Sequence, residues 1–137
     1  LEFRRVLFRS YDGYGNTQKI VAAVTASDGY FKDEPYSAAA YAARAEAFPS
    51  GKKGYLGAAG EWEIVKDNFD KVQALLNRIG SKFATPTWPM SYWTSSVVET
   101  VDDAAYTFSS ASGGAYISWC RKWASKNNVR VFRKLEK

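Results

Sequence analysis

The sequence predicts an α+β domain in which helices pack against a small, twisted antiparallel sheet. Patterns typical of helices fill the chain as far as Gly80, and short segments rich in Ser, Thr, Trp and Tyr follow it. Strands that are gathered after the helices are typical of this class, because they then pair with one another. At 137 residues the chain has room for one globular domain and not for two.

The first helices are expected after a Gly-rich turn at residues 12–16. Residues 18–24 are expected to form one or two helical turns. A longer helix is predicted over residues 35–48, since Asp33 suits the N-cap, Pro35 suits the first turn, and apolar residues follow at helical spacing.

A further helix is expected after the Lys-Gly-Tyr-Leu-Gly segment, with Glu61 in its first turn, where a carboxylate interacts favourably with the helix dipole. Trp62 and Val65 are expected to point inward. The pattern then changes phase, which predicts a kink around Asn68 and a second helical segment over residues 70–79. The apolar residues expected to reach the core from this second segment are Phe69, Val72, Leu75, Leu76 and Ile79.

The predicted strands carry β-branched and aromatic residues and are separated by turns that contain Gly, Asp or Asn. Their predicted ranges are residues 92–98, 104–110, 115–120 and 129–135. The second of these strands alternates, with Tyr106 and Phe108 on one face and Thr107 and Ser109 on the other.

Residues 1–10 are treated apart from the fold. They show neither helical nor strand periodicity, and the string resembles the translation of a common sequencing adapter. We therefore expect an artefactual leader at residues 1–10 and an N-terminally truncated ligand-binding domain at residues 11–137. Because the leader holds three of the Arg residues and one Glu, excluding it lowers the net charge from +5 to +3.

The composition excludes several classes of function. The chain has no histidine, which excludes a Ser-His-Asp triad, a Cys-His pair and any metal site built on His. Its one cysteine, Cys120, excludes an intrachain disulfide and zinc sites that need several cysteines. No cofactor or metal is predicted, and no apolar run is long enough to span a membrane. Aromatic residues make up 16% of the chain, which favours a role in recognition.

Six short motifs occur along the chain in an order that can be compared with known families. They are Gly15-Asn16-Thr17, the helix over residues 35–48, residues 54–62, Tyr92-Trp93-Thr94-Ser95-Ser96, residues 105–113, and Val129-Arg130-Val131-Phe132-Arg133. Together they cover nearly all of residues 11–137. This order resembles that of the C-type-lectin-like domains of bacterial and phage surface proteins. Gly57, Tyr106 and Ser110 depart from that pattern, where the family has Pro, Trp and an aromatic residue.

The resemblance implies that Tyr92 and Trp93 are core residues beneath a binding face. The calcium-dependent members use Glu-Pro-Asn or Gln-Pro-Asp together with Trp-Asn-Asp, and none of these triplets occurs here. Asp102 and Asp103 are adjacent but supply too few ligands, so a solvated turn is expected there. The formylglycine-generating relatives use paired cysteines, so Cys120 is expected to be a small buried hydrophobe.

A subset of this family serves as the variable proteins of diversity-generating retroelements, which carry diversified binding residues on a fixed scaffold. The segment over residues 116–128 has the composition of a binding surface, with rigid aromatics, Arg, Ser and Asn. The resemblance places a ligand site on Thr107, Ser109, Tyr116, Ser118, Trp119, Arg121, Trp123, Ser125 and Asn127. Trp119 and Trp123 would anchor apolar pockets and Arg121 would pair with an acidic or carbonyl group, although one of the two Trp could instead complete the core.

The expected partner is a protein or glycan on a cell surface, and the expected location is a phage particle or bacterial surface, as part of a longer chain. The alternative within this fold is an undiversified adhesin or structural domain. A nucleic-acid binder ranks third, because Arg130 and Arg133 fall in the closing strand, where they are expected to be structural. An enzyme ranks last, since Glu61, Glu63 and Glu99 have no acid partner or motif around them.

Overall fold

The computed structural model describes residues 11–26, 42–43, 54–81, 91–98, 100–101, 104–111, 114–121 and 127–133. The helices within these ranges are α1 (Gly13–Ala26), α2 (Ala59–Asp67) and α3 (Phe69–Arg78). The strands are β1 (Tyr55–Leu56), β2 (Tyr92–Val97), β3 (Ala104–Ala111), β4 (Gly114–Arg121) and β5 (Val131–Phe132). This mixture of helices and antiparallel sheets confirms the predicted α+β class.

Helix α1 begins earlier than the sequence predicts, because the expected turn at residues 12–16 is the helix start. The side chain of Asp12 accepts a hydrogen bond from the backbone N–H of Gly15 at 2.8 Å, and its carbonyl accepts one from Asn16 at 3.0 Å. Asp12 is therefore the N-cap, and it satisfies donors that have no partner within the helix. The Gly residues here belong to the first helical turn, where we had expected a loop.

Helices α2 and α3 meet at Asn68, which confirms the predicted kink. The backbone N–H of Asn68 bonds to the carbonyl of Ile64 at 3.2 Å, and its side-chain amide donates to the same carbonyl at 2.9 Å. Asn68 thus caps the end of α2 before α3 starts at Phe69. The prediction that Leu75 and Ile79 reach the core is wrong, since both are exposed. Leu75 lies off the face defined by the first turn, and Ile79 follows the last helical residue.

The larger sheet has three antiparallel strands in the order β2–β3–β4. Strands β3 and β4 pair without interruption from Ala104 and Arg121 at one end to Ala111 and Gly114 at the other. The pairing of β2 with β3 is irregular between Trp93 and Val97. Gly114 has φ of 120°, a left-handed conformation that favours glycine where the chain enters β4.

The smaller sheet joins distant parts of the chain. Tyr55 of β1 pairs with Phe132 of β5, and Leu56 pairs with Val131, both antiparallel. The sequence did not predict β1, since two residues carry too little periodicity to be recognised as a strand. The strand expected over residues 129–135 is limited to Val131–Phe132, and residues 134–137 lie outside the described part.

The core is built around the indole of Trp62, which is fully buried. Its ring stacks on Phe108 at 4.4 Å and on Tyr92 at 5.5 Å between centroids, and it meets Phe132 edge-on at 5.0 Å. Val65, Phe69, Val72, Leu76, Ala115, Ile117 and Phe132 pack against this cluster. The core therefore joins both described helices of the 59–78 region to the two sheets, as predicted for Trp62 and Val65.

A second, smaller cluster lies beside α1. Ala42 and Leu56 are buried there, and Ile20, Trp93, Val129 and Val131 pack against them. Residues 42–43 are helical, and the remainder of the helix predicted over residues 35–48 lies outside the described residues. Residues 1–10, and Asp102 and Asp103, for which a turn is predicted, also lie outside the described residues. None of the described helices is long and apolar enough to cross a membrane.

Candidate ligand-binding site

The Gly15-Asn16-Thr17 motif connects α1 to the strands. The buried hydroxyl of Thr17 donates to the carbonyl of Gly13 at 2.7 Å and accepts from the backbone N–H of Leu56 at 2.9 Å. The side-chain amide of Asn16 donates to the hydroxyl of Ser95 at 3.4 Å. Two motifs that are far apart in the sequence are thus held together by side-chain hydrogen bonds, which gives them a structural role.

Glu61 holds three donors at the start of α2. One carboxylate oxygen accepts from the backbone N–H groups of Ala58, at 2.7 Å, and Gly13, at 3.1 Å. The other accepts from the hydroxyl of Tyr55 at 2.9 Å. Burial raises the pKa of Tyr55 above its ordinary range, and the hydrogen bond and negative charge of Glu61, with a contribution from Asp12, add to the increase. Glu61 therefore ties the beginnings of α1 and α2 to β1 and has a structural explanation.

The Tyr92-Trp93-Thr94-Ser95-Ser96 segment faces mainly into the protein. Tyr92 is buried against Trp62, which confirms its predicted place in the core, and Trp93 is half-buried in the second cluster. The hydroxyl of Ser96 accepts from the backbone N–H of Ala59 at 2.9 Å. The segment therefore has a structural role in the sheet. Most of the predicted binding residues lie on β3 and β4.

The register of β3 and β4 divides the predicted site residues between two faces. Residues opposite each other in an antiparallel pair lie on the same face, and successive residues alternate. Ser109 pairs with Tyr116 and Thr107 pairs with Ser118, so these four share one face, here called the hydroxyl face. Trp119 pairs with Tyr106 and lies on the opposite face, the one that carries Phe108 into the core.

Exposure separates the members of the hydroxyl face. Thr107 and Ser109 on the central strand are only 2% and 5% exposed, whereas Tyr116 is 47% exposed and Ser118 is also exposed. The hydroxyl of Ser109 lies 2.7 Å from that of Ser91, so it is already hydrogen-bonded. The two hydroxyl-bearing residues of the central strand are therefore buried, and Tyr116 and Ser118 of β4 are the residues of this face that a ligand can contact.

Trp119 is 47% exposed although it shares a face with the core. It lies toward the end of β4, beyond Ile117, which packs against the Trp62 cluster. Trp119 therefore does not complete the core, because about half of its surface remains accessible. A half-exposed indole can contribute a large apolar contact area to the binding of a partner.

The remaining predicted residues lie at the end of β4 and after it. Arg121 pairs with Ala104 at the last position of the strand. The half-buried Asn127 donates from its side-chain amide to the sulfur of Cys120 at 3.1 Å. Cys120 is half-buried, so the prediction that it is a small buried hydrophobe is wrong. Trp123 and Ser125 lie outside the described residues.

Two residues beside the site were not predicted from the sequence as site residues. Ser91 bonds to Ser109, and Tyr106 stands opposite Trp119. The alternation of β3 already placed Tyr106 on the face of Phe108, so knowledge of the register would have identified it. Ser91 precedes β2, and no local pattern marks it.

The chemistry available on the hydroxyl face is hydrogen bonding and ring contact. Each of its four residues carries a hydroxyl group, which can donate and accept hydrogen bonds. Among the described residues, no group of three or more His, Cys, Asp or Glu side chains is close enough to hold a metal ion. Arg130 and Arg133 are half-buried, and the guanidinium of Arg130 donates to the hydroxyl of Ser81 at 3.4 Å.

A shallow depression lies elsewhere, between the α2–α3 junction and the start of β4. Its lining residues are Lys66, Asp67, Asn68, Phe69, Asp70, Lys71, Gly114 and Ala115. The ammonium of Lys66 is 3.8 Å from Asp67 and 3.9 Å from Glu63, so its charge is balanced by its neighbours. Such exposed ion pairs contribute little and are typical of an ordinary surface.

Comparison with known proteins gives no match: no family model, no curated protein and no solved structure matches this chain.

Proposed function

We propose that this chain is a C-type-lectin-like domain that recognises a ligand and carries out no catalysis. The ordered motifs support the fold assignment, because the residues that carry them also hold the structure together. Thr17 joins the first helix to β1, Glu61 caps the second, and Tyr92 packs beneath the sheet. A scaffold fixed by such contacts leaves the outward residues of β4 free to vary.

The exposure of Tyr116 and Trp119 carries the proposal. Both side chains project from β4, one on each face of the sheet. Their neighbours Ala115 and Ile117 pack against the core cluster. Full burial of a large apolar side chain contributes about 1.5–3 kcal/mol. Because each of these two rings is already about half covered, a partner that covers the rest gains about half of that value from each ring. Ser118 adds a hydroxyl that can adapt to different partners.

The proposed ligand is a protein or a glycan on a cell surface, and the proposed location is a phage particle or a bacterial surface. We propose further that the domain is a variable protein of a diversity-generating retroelement. The exposed Trp119 favours this function over an undiversified adhesin, which has no requirement for accessible aromatics. The half-buried Arg130 and Arg133 disfavour a nucleic-acid binder, which needs open basic side chains.

The test is to sequence many copies of this locus from one community and to map the substitutions onto residues 92–137. Substitutions are expected at Tyr116, Ser118 and Trp119, at positions that match adenines in a template copy. The internal controls are Tyr92 and Phe108, which are buried in the core and must stay fixed. Changes that are sparse and uniform along the chain contradict diversification and leave the undiversified adhesin.

A reverse transcriptase gene and a near-identical repeat beside the 3′ end of the gene are the second observation. They are expected if the domain is diversified and have no role beside an ordinary adhesin. Finding the same exposed residues unchanged among copies, with no such genes nearby, contradicts the variable-protein assignment.

A further inference from the structure

Strand β4 presents an unpaired edge. It is eight residues long, and it lies at one end of the β2–β3–β4 order, with β3 on its inner side. In the part of the chain that the structure describes, no backbone group pairs with its outer side. The other end of this sheet differs, because the N–H of Trp93 in β2 donates to the carbonyl of Asn128 at 3.0 Å, and the N–H of Asn128 donates to Ser91 at 2.7 Å.

The register shows which groups point outward. Ala111 and Gly114 pair across the two residues that separate the strands, which makes them the hydrogen-bonded pair that closes the hairpin. Hydrogen-bonded pairs then alternate along the ladder. The backbone N–H and C=O groups of Ala115, Ile117 and Trp119 therefore point away from β3.

The β4 edge lacks the usual protection against pairing. Natural edge strands avoid association through charged residues, Pro, bulges or short length. Residues 114–120 contain no charged residue and no Pro, and their register with β3 has no shift. An uncharged, regular edge of this length is a template for another strand.

We propose that a second copy of this chain pairs with this edge, β4 to β4 and antiparallel, about a two-fold axis at Ile117. This register sets Ala115 opposite the partner's Trp119 on one face and Ser118 opposite the partner's Tyr116 on the other. A large side chain meets a small one at the positions on either side of the axis, and Ile117 meets its own copy at the axis, so the strand is complementary to itself.

The backbone ladder does not depend on which uncharged side chains stand at positions 116, 118 and 119, and in the present chain the two exposed aromatics strengthen this pairing. A strand ladder alone covers less surface than a stable dimer needs. The rings of Tyr116 and Trp119, each about half exposed, add contact area on the two faces of the joined sheet. The result is a weak dimer with a continuous six-stranded sheet that carries two hydroxyl faces on one side.

The test is sedimentation velocity of the 137-residue chain between about 1 and about 200 µM, a range that covers weak association. A monomer–dimer equilibrium is expected, and Ser118→Lys is expected to raise the dissociation constant at least ~10-fold, because it places a charge in the neutral ladder. The control is Ala74→Lys, which adds the same charge at an exposed position of α3 and leaves the dissociation constant unchanged.

Hydrogen exchange of the unmodified chain tests the register without any variant. The amides of Ile117 and Trp119 are expected to exchange more slowly as the concentration rises, while exposed amides of α3 do not change. A monomer throughout the range overturns the proposal, and so does a dimer that is insensitive to Ser118→Lys, because its interface lies elsewhere. Either result leaves the ligand-binding proposal untouched, since that proposal is decided by the substitution map.

Discussion

The hydroxyl of Thr17 gives the sharpest test of the scaffold. It lies in a fully buried position between α1 and β1, and the substitution Thr17→Val replaces it with a methyl group of nearly the same size. The change leaves the backbone N–H of Leu56 without its acceptor and the carbonyl of Gly13 without one donor. The matched variant Thr17→Ser keeps the hydroxyl and removes only the methyl group.

The two substitutions are expected to lower the free energy of unfolding by different amounts. A buried donor without a partner costs about 1–3 kcal/mol, so Thr17→Val is expected to lower the free energy of unfolding by about 2 kcal/mol. Thr17→Ser removes one methyl group, which costs about 0.8 kcal/mol. If hydrophobic burial alone fixed α1, the order would be reversed, because Val is the more apolar side chain.

The assay is urea unfolding at equilibrium, followed by tryptophan fluorescence and circular dichroism. The free energy of unfolding should fall in the order Thr17, Ser, Val, with the same dependence on urea concentration in all three proteins. If the Val variant is as stable as the wild-type chain or more stable, the hydrogen bonds through Thr17 do not hold α1 against β1, and the structural role given to the motif is wrong.

Three further predictions address the core, the pH response and the site. Trp62→Ala should lower the free energy of unfolding by about 3–5 kcal/mol in the same urea assay, because it empties the centre of the aromatic cluster. Because the pKa of Tyr55 is raised in the folded protein, its stabilising contribution is present below about pH 10 and is lost as the pH rises further. Urea unfolding from pH 9 to 11 should therefore show a decline that is smaller in Tyr55→Phe, and equal declines would contradict it. Trp119→Ala should change the free energy of unfolding by no more than about 0.5 kcal/mol in the same urea assay, since the side chain is half exposed; a large loss would show that it is part of the core.

Local sequence patterns identified the main elements of the fold. The positions of Trp62 and Val65, the kink at Asn68 and the three strands of the larger sheet follow from periodicity and turn residues. The start of α1 was misplaced because Gly at a helix N-terminus reads as a turn unless the capping contact of Asp12 is known.

The site was harder to predict because its geometry depends on pairing across strands. The sequence grouped Trp119 with Tyr116 and Ser118, although alternation within the predicted strand places Trp119 on the other face. The register adds that this other face is the one that carries Phe108 into the core. The burial of Thr107 and Ser109 follows from the central position of β3, which no local pattern encodes. The amino-acid composition thus identified β4 as the strand that carries candidate binding residues. The order of the strands in the sheet determines which residues of β3 and β4 are accessible.

The pairing of Tyr55 with Phe132 has a consequence for how the chain acquires its fold. Most of the described residues lie between these two partners, so the small sheet closes only after the chain beyond β4 has been synthesised. Contacts between such distant positions slow folding, because a large loop must be closed before they form. Trp62 contacts Phe132 edge-on, so we expect the nascent chain to complete its core only after Phe132 has been synthesised.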